Sequence, residues 1–397
     1  MIYGQQQRKM LDSFLLAPGE YDRMLEKLGE FFTKEFEPAA REMDEMGISP
    51  RPNFEKLSKE GIPAISPPPE YNGLGLPFVL YMAIVEMLAK ACANTALCLS
   101  VHSMVCEGIN LFGTEAQKEE FLKNKGLAKG KALAAFALTE PCCGSDAAAI
   151  RSTATRSGGK YILNGTKNLV TNAPEADFIM VLANTAKGPS IFLSPRQAAG
   201  LKVLKDIAKM GFRGNRLAPV RLENCKIPEA NLIGEEGKGL DYAKQILNCG
   251  RMTVAAIAVG IARGAYEKSL SYALKRKAFG KNISEFQLIQ QKLADMETEI
   301  NAARLLLYYS AHLRDKGLDY AAEVTQAKLF ASEMALRVCD NAVQIHGGYG
   351  YLDACDVHRH WRDARLLTIA EGTSEILRLL LAHLVIKRQR EWTRSEK

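Results

Sequence analysis

Apolar side chains return at three- and four-residue steps from Tyr21 to about residue 125. Tyr21, Leu25, Leu28, Phe31, Phe32 and Phe36 make one such stripe, which predicts an amphipathic helix with Pro38 close to its end. Residues 53–59 read as a short helix, the stretch SPPPEYNGLGLP as a loop, and 77–90, 94–112 and 114–125 as further helices. Thr114 has the chemistry of an N-cap, with Glu115 in the first turn, where the positive end of the helix dipole favours an acid.

From about 131 to 233 the pattern changes to short alternating runs broken by Gly, Pro and Asn. Residues 132–138, 152–156, 161–170, 178–183, 190–193, 201–204 and 220–222 predict strands, with turns at Ser157-Gly158-Gly159 and Asn164-Gly165. This is the pattern of a compact antiparallel, barrel-like β domain. After Gly234-Glu235-Glu236-Gly237 the helical period returns over 240–275, 285–314, 320–345 and 374–387, long enough for a four-helix bundle. The order predicts an α+β fold in three regions, an N-terminal α-helical domain (1–130), a middle β domain (131–233) and a C-terminal helical bundle (234–397). A doubly wound nucleotide fold would need βαβ alternation, which is missing.

Composition narrows the class. The chain has 397 residues, 47% hydrophobic and 24% charged, which excludes disordered and low-complexity readings. The longest near-continuous apolar run, 253–262, is fenced by Arg251 and Arg263 and is too short to span a bilayer; the start MIYGQQQRKM has no apolar signal core. Nine cysteines without a C-x-x-C pair predict reduced thiols in a cytoplasm rather than bridges or a zinc site, so no metal is expected. The net charge of +7 is spread along the chain, with no basic arm for nucleic acid. It fits either ordinary surface charge or a phosphate-bearing ligand.

No P-loop, no G-x-G-x-x-G after a strand, no H-E-x-x-H and no G-x-S-x-G elbow is present. Four unusual stretches remain. Leu138-Thr139-Glu140-Pro141-Cys142-Cys143-Gly144-Ser145-Asp146 follows a strand directly. Its small residues let a ligand approach the backbone, and Thr139 and Ser145 can donate and accept. A tight polar turn would explain the Pro and Gly, but less easily so many hydroxyl and acid groups. The stretch 164–172, NGTKNLVTN, reads as a hairpin turn and the strand after it. In QIHGGYGY (344–351), three glycines within four residues exceed what one helix C-cap needs, which predicts backbone open to a ligand or a neighbouring subunit. In IAEGTSEI (369–376), an apolar run delivers Glu371 to a helix start with Thr373 or Ser374 as N-cap. Desolvation there would raise the pKa of Glu371 toward that of a general base near neutral pH. Taken alone, the same stretch also reads as an exposed acid before a capped helix.

In this order the stretches resemble the acyl-CoA dehydrogenase family. The motifs are LTEPCCGSD (138–146), NGTKNLVTN (164–172), KMGFRGN (209–215), GEEGKG (234–239), RKAFGKNISEFQLIQ (276–290), QIHGGYGY (344–351), RDAR (362–365) and EGTSEILR (371–378), and together they cover nearly the whole chain. The resemblance implies FAD-dependent oxidation of an acyl-CoA thioester to the 2-enoyl-CoA, with Glu371 as the base and flavin taking the hydride. It implies that Phe136, Leu138, Thr139, Gly144 and Ser145 line the flavin, Ser145 also lying near a pyrophosphate or the CoA chain. Leu169, Val170 and Thr171 would flank the flavin ring. Arg276, Phe279, Gln287, Gln344, Gly347 and Gly348 would reach FAD across a subunit boundary, and Thr373 and Glu375 would meet its phosphates or ribose. Asn248, Arg251, Ala370 and Gly372 would contact the substrate, with Ser100 in the base of the acyl pocket and His102 a packing residue. A homotetramer and an electron-transferring flavoprotein as acceptor follow from the same resemblance.

The sequence also departs from the family pattern. Leu169 stands where many members carry tryptophan, Asn248 where aspartate is common, and Ala370 where many have tyrosine. Some members place the base just before the arginine equivalent to Arg251; here that residue is Gly250, which carries no acid. Loss of a ring at Ala370 predicts room for a branched or cyclic acyl group. Leu169 keeps an oxidase, or a reductase working in the other direction, as alternatives. A non-catalytic helical scaffold is a further alternative, opposed by the intact Glu371 and flavin motifs.

Overall fold

The computed structural model describes residues 5–15, 19–64 and 66–395. Helices α1 (Gln5–Asp12), α2 (Asp22–Glu35), α3 (Ala39–Met46), α4 (Arg51–Lys59), α5 (Phe78–Ala91), α6 (Ala93–Phe112) and α7 (Glu115–Gln117, continuing as π-helix through Lys118–Asn124) precede the sheet. The stripe beginning at Tyr21 is α2, and Thr114 closes a capping box with Gln117. Helices α1 and α3 were not predicted. Pro38, expected as a terminator, is also the N-cap of α3, because a fixed φ suits the start of a helix as well as its end.

Helix α5 is apolar all round and buried along almost its whole length. Its one acid, Glu86, is matched by Arg304, whose Nε and Nη2 donate to the carboxylate at 2.7–3.1 Å, and by the Tyr308 hydroxyl at 3.2 Å.

The strands are β1 (Ala134–Ala137), β2 (Thr153–Ser157), β3 (Lys160–Thr171), β4 (Phe178–Thr185), β5 (Gly188–Pro195), β6 (Leu201–Val203), β7 (Leu217–Pro228) and β8 (Leu232–Ile233). They pair in the order β6-β7-β3-β2-β4-β5-β8, with β1 also on β4. Pairing is antiparallel except that β1 and β2 both run parallel to β4, one beside Phe178–Val181 and the other at Asn184. The residues between β1 and β2, including LTEPCCGSD, therefore leave the sheet between two strands that share one neighbour. Along β4, Ile179, Val181 and Ala183 fill a small core inside the sheet, while Phe178, Met180 and Leu182 face the helices. Burial on both faces explains the unbroken apolar run.

The turn expected at Asn164-Gly165 is a bulge inside β3, where the register with β7 shifts between Leu163 and Gly165. Gly165 has φ +145°, and a side chain there would collide with Ser152. The local Asn-Gly signal is overridden by pairing along the full length of β7.

The C-terminal helices are α8 (Gly239–Lys275), α9 (Gln287–Asp315), α10 (Ala321–His346), α11 (Val357–Leu367) and α12 (Ser374–Ser395); a hairpin of β9 (Lys277–Ala278) and β10 (Lys281–Asn282) follows α8. Helix α11 was not predicted. It is amphipathic, and its Asp363 accepts from the Phe212 N–H, while Arg362 pairs with Asp44. Two motifs, KMGFRGN and RDAR, thus dock the sheet and the first helices onto the bundle. By length and composition α6 and α8 could each cross a bilayer, but 83% of each apolar window is buried inside the protein, so here they are core helices.

Candidate active site

Glu371 sits in the reversal between α11 and α12. The N–H groups of Ile369 and Ala370 both donate to Leu366 O, at 2.9 and 3.0 Å, which ends α11. Glu371 then takes φ +56° and Gly372 φ +102°. Thr373 Oγ1 accepts from the Ile376 N–H at 3.3 Å, so Thr373 caps α12, one of the two expected caps.

A left-handed glutamate is costly unless its surroundings hold it. Two cations do so from two other helices. Arg251 of α8 donates through Nε to Glu371 O at 3.3 Å, and Lys328 of α10 donates to Gly372 O at 2.6 Å. Asn248 Oδ1 in turn accepts from Arg251 at 2.7 Å. The chain thus grips the reversal by consecutive carbonyls and leaves the carboxylate unused: Oε2 is buried without a hydrogen-bond partner. Burial pushes the Glu371 pKa up to about 7, with Arg251 and Lys328 opposing the rise. Burial likewise pushes Lys328 down, to about 8, against the pull of Glu371.

Gly250, the alternative base position, lies beside this carboxylate. A Cβ there would stand 2.7 Å from Glu371 Oε2 and 2.8 Å from Met104 Sδ. The two positions converge on one point in space, and glycine at one makes room for the carboxylate of the other. Ala370, next to Glu371, is half-buried.

The structure also brings together the loop after β1 and the end of β3. Asn168 N–H donates to Thr139 O at 2.8 Å, and Lys167 Nζ to Leu138 O at 3.1 Å. Leu169 is exposed in a left-handed conformation (φ +54°), and Gly144 and Ser145 are exposed in the loop after β1. Phe136 and Thr171 are half-buried, and Val170 is buried in the sheet's own core, so only its backbone can face a ligand. The buried acid of this loop, Glu140, is structural. It pairs with Lys167 at 2.7 Å and accepts from the N–H groups of Arg151 (2.7 Å) and Ser152 (3.0 Å). Burial alone would raise its pKa; the bonds from Lys167, Ser152 and Arg151 bring it down to about 2.

A third group gathers at the other end of the bundle. Arg276, Gly347, Gly348, Tyr349 and Tyr272 line a cavity of about 490 Å³, with the Arg276 guanidinium 5.6 Å from the Tyr349 ring centre. A Cβ at Gly347 or Gly348 would meet nothing within 4 Å, so these glycines border open space. Gln344 and Gln287 are exposed, and Phe279, at the tip of the β9–β10 hairpin, is 94% exposed. Arg276 stands 25 residues after Arg251, just past the C-terminal end of α8, about 37 Å away at the helical rise. One chain therefore does not bring Arg276, Gly347 and Gly348 to Glu371.

One expected contact is corrected. Ser100 is buried and its hydroxyl bonds Thr253, whose Oγ1 also donates to Gly250 O at 3.0 Å. It ties α6 to α8 and has no free face for an acyl tail. His102 is a packing residue as expected: Nδ1 accepts from the Ala134 N–H at 3.1 Å and Nε2 bonds Leu127 O at 3.0 Å, and burial pushes its pKa down to about 4. Lys328 was missed. A lysine in register with Val324 and Ala331 on an apolar helical stripe was the signal that could have found it.

The chain matches the models of the acyl-CoA dehydrogenase N-terminal domain over residues 19–131, the middle domain over 135–225 and the C-terminal domain over 237–386. It is 42% identical to the probable acyl-CoA dehydrogenase YngJ of Bacillus subtilis, over 93% of this chain and 98% of that one. The chain belongs to the acyl-CoA dehydrogenase family. It is an FAD-dependent oxidoreductase acting on acyl-CoA. The acryloyl-CoA reductase (NADH) of Anaerotignum propionicum is 40% identical, covering 92% of this chain and 94% of that one. The structure of butyryl-CoA dehydrogenase from Megasphaera elsdenii superposes with a TM-score of 0.90 at 36% identity, covering 94% of this chain and all of that one.

Proposed function

We propose that Glu371 removes the α-proton of a short acyl-CoA thioester, with the acyl group extending past Ala370. The observation that carries this reading is the buried, unpartnered Oε2 of Glu371, on a reversal clamped by Arg251 and Lys328. A carboxylate with its pKa raised to about 7 is half ionised near neutral pH and accepts a proton with little driving force lost. The N–H of Glu371 points to no acceptor among the described residues and is free to hold the thioester carbonyl, where negative charge develops as the proton leaves. Arg251 and Lys328 already engage the carbonyl side of the reversal, so they position Glu371 rather than touch the substrate. Asn248 supports Arg251 in the same role.

The chain's own features suit the cofactor. Leu169 and the exposed backbone of Gly144 and Ser145 suit the flavin ring and its neighbouring chain, and Arg276, Gly347 and Gly348 suit a phosphate-bearing end. Bound FAD supplies the two-electron acceptor for the hydrogen leaving Cβ. Phe136, Leu138, Thr139, Val170 (by its backbone) and Thr171 border the ring side, and Phe279, Gln287 and Gln344 the far side. Glu375, an exposed acid held low by its own N–H and by Thr373, suits a ribose hydroxyl better than a phosphate. Arg251, beside Glu371, and Arg276 lie most of the length of α8 apart, which supports a FAD site completed by a second copy, hence an oligomer such as a tetramer. The regions 1–130, 131–233 and 234–397 act as one catalytic unit. Electrons pass to an electron-transferring flavoprotein, and the free cysteines suit a reducing cytoplasm.

The test is α-proton exchange in D₂O. Wild-type enzyme is expected to exchange the α-hydrogen of a bound acyl-CoA, and Glu371→Gln to bind FAD without exchange; exchange in the variant would remove Glu371 from the mechanism. Turnover of butyryl-, isobutyryl- and cyclohexanecarboxyl-CoA with a ferrocenium acceptor reads the pocket at Ala370. A preference for the bulkier groups is expected, reversed by Ala370→Tyr. A clear preference of wild type for butyryl-CoA would limit the site to straight chains. The similarity to an acryloyl-CoA reductase favours reduction as a second reading. Faster turnover of an enoyl-CoA with reductant than of the acyl-CoA with oxidant would select it, and rapid reoxidation of the reduced enzyme by air would select an oxidase.

A further inference from the structure

Seven of the nine cysteines are buried and Cys355 is half-buried; Cys142 is exposed. Its neighbour Cys143 keeps 8% of its surface accessible, and the two sulfurs lie 3.9 Å apart. They close a tight turn. Glu140 N–H donates to Cys143 O at 2.9 Å, and Cys143 N–H donates to Glu140 O at 3.2 Å. Glu140 Oε2 is 3.9 Å from Cys142 Sγ, so a carboxylate and two thiols converge. The carboxylate oxygens already accept from Lys167, Arg151 and Ser152. The pair of thiols is what remains reactive.

We propose that Cys142 and Cys143 are a redox-modification site that closes to a vicinal disulfide with a low-molecular-weight disulfide as oxidant. The Cys142 thiolate attacks the oxidant, forming a mixed disulfide and releasing one thiol. The Cys143 thiolate then attacks Cys142 Sγ, the protein S–S bond forms, and the second thiol leaves. Two protein thiols lose two electrons and two protons, and one disulfide becomes two thiols. Exposure makes Cys142 the first nucleophile. Burial, together with Cys142 and Glu140, raises the Cys143 pKa and makes it the slower, resolving partner.

The loop carries the consequence. Its entry is held by Lys167 on Leu138 O and Asn168 on Thr139 O, and its exit by Glu140 on the Arg151 and Ser152 N–H groups. Closure of the sulfurs is therefore absorbed within residues 141–146 and at the backbone pair of Glu140 and Cys143. A Cβ at Gly144 would find only Thr139 Cγ2, at 3.7 Å, so the segment has room to move, and Ser145 moves with it.

The test incubates the holoenzyme with oxidised glutathione and maps its peptides by mass. Wild type is expected to lose two hydrogens across Cys142-Cys143, reversibly with dithiothreitol and with no glutathione retained there. Cys143→Ser is expected to stop at a glutathione adduct on Cys142, and Cys142→Ser to stay unmodified. A stable adduct on wild-type Cys142 with Cys143 free, or an unmodified pair after Cys355 has reacted, overturns the proposal. Oxidation is also expected to raise KM for acyl-CoA about tenfold, the scale of one lost polar contact, a response absent in Cys142→Ser. An unchanged KM in fully oxidised wild type would overturn the link to Ser145. The mass readout is independent of the acyl-CoA reading; the KM readout rests on it.

Discussion

Glu140 and Glu371 are both carboxylates withdrawn from water on loops that leave regular elements, yet one is held at about 2 and the other at about 7. Glu140 is met by an ammonium and two backbone N–H groups aimed at its oxygens. Glu371 also has two cations nearby, but both are aimed at carbonyls of its reversal and not at its carboxylate. Burial is common to both, and hydrogen bonding to the charged form separates them. A saturated carboxylate anchors a loop. An orphaned one, rigidly presented, is able to take a proton.

The strongest way to break this contrast is to neutralise each acid's function in turn. Glu371→Gln is expected to lower kcat about 10⁴-fold, the upper range of a general base, with FAD content unchanged, as read by turnover and the flavin spectrum. Lys167→Met leaves the buried Glu140 without its cation and is expected to destabilise the protein by about 3–5 kcal/mol. Chemical denaturation reads that change, and a loss below measurement error would mean Glu140 does not depend on Lys167.

Lys328→Met tests whether the grip on the reversal matters apart from the carboxylate. A fall in kcat of about tenfold to a hundredfold is expected from misplacement. Removing a cation also raises the Glu371 pKa, so the rise of kcat with pH, centred near 7 in wild type, is expected to move to higher pH. An unmoved midpoint would show that Lys328 only packs.

The smallest effect is on the pH dependence of stability, and its sign differs between the two acids. The folded pKa of Glu371 lies above its unfolded value, so its ionisation costs stability as pH rises from about 4.3 through 7. Glu371→Gln is therefore expected to be more stable than wild type above pH 7, by about 1–3 kcal/mol, and to match it below pH 4. Glu140 has a depressed pKa, so its contribution is full above its unfolded pKa and is lost as pH falls toward about 2. Glu140→Gln is expected to melt lower at neutral pH, with the gap closing on acidification.

Much of this was legible along the chain. The helical stripe from Tyr21, the capping box at Thr114, the bundle helices and the capped start at Thr373 all follow local periodicity and local chemistry, which short-range sterics enforce. The misses share another cause. Asn164-Gly165 became a bulge because twelve-residue β7 pairs straight past it. Ser100 was a plausible pocket residue until its hydroxyl met Thr253 from another helix. Helix α11 is short and rich in charge, and its role as a dock for Phe212 depends on contacts 151 residues away in the chain.

The sequence by itself determined the helical, β and helical order, the family, and a glutamate at the head of a capped helix. It did so because period, capping and motif order are properties of neighbours. Only the tertiary structure decided which acids do chemistry. The state of Glu371 depends on Arg251, Lys328 and the gap at Gly250, and that of Glu140 on Lys167, Arg151 and Ser152. Those partners arrive from distant segments, and a pKa is set by what surrounds a charge in space.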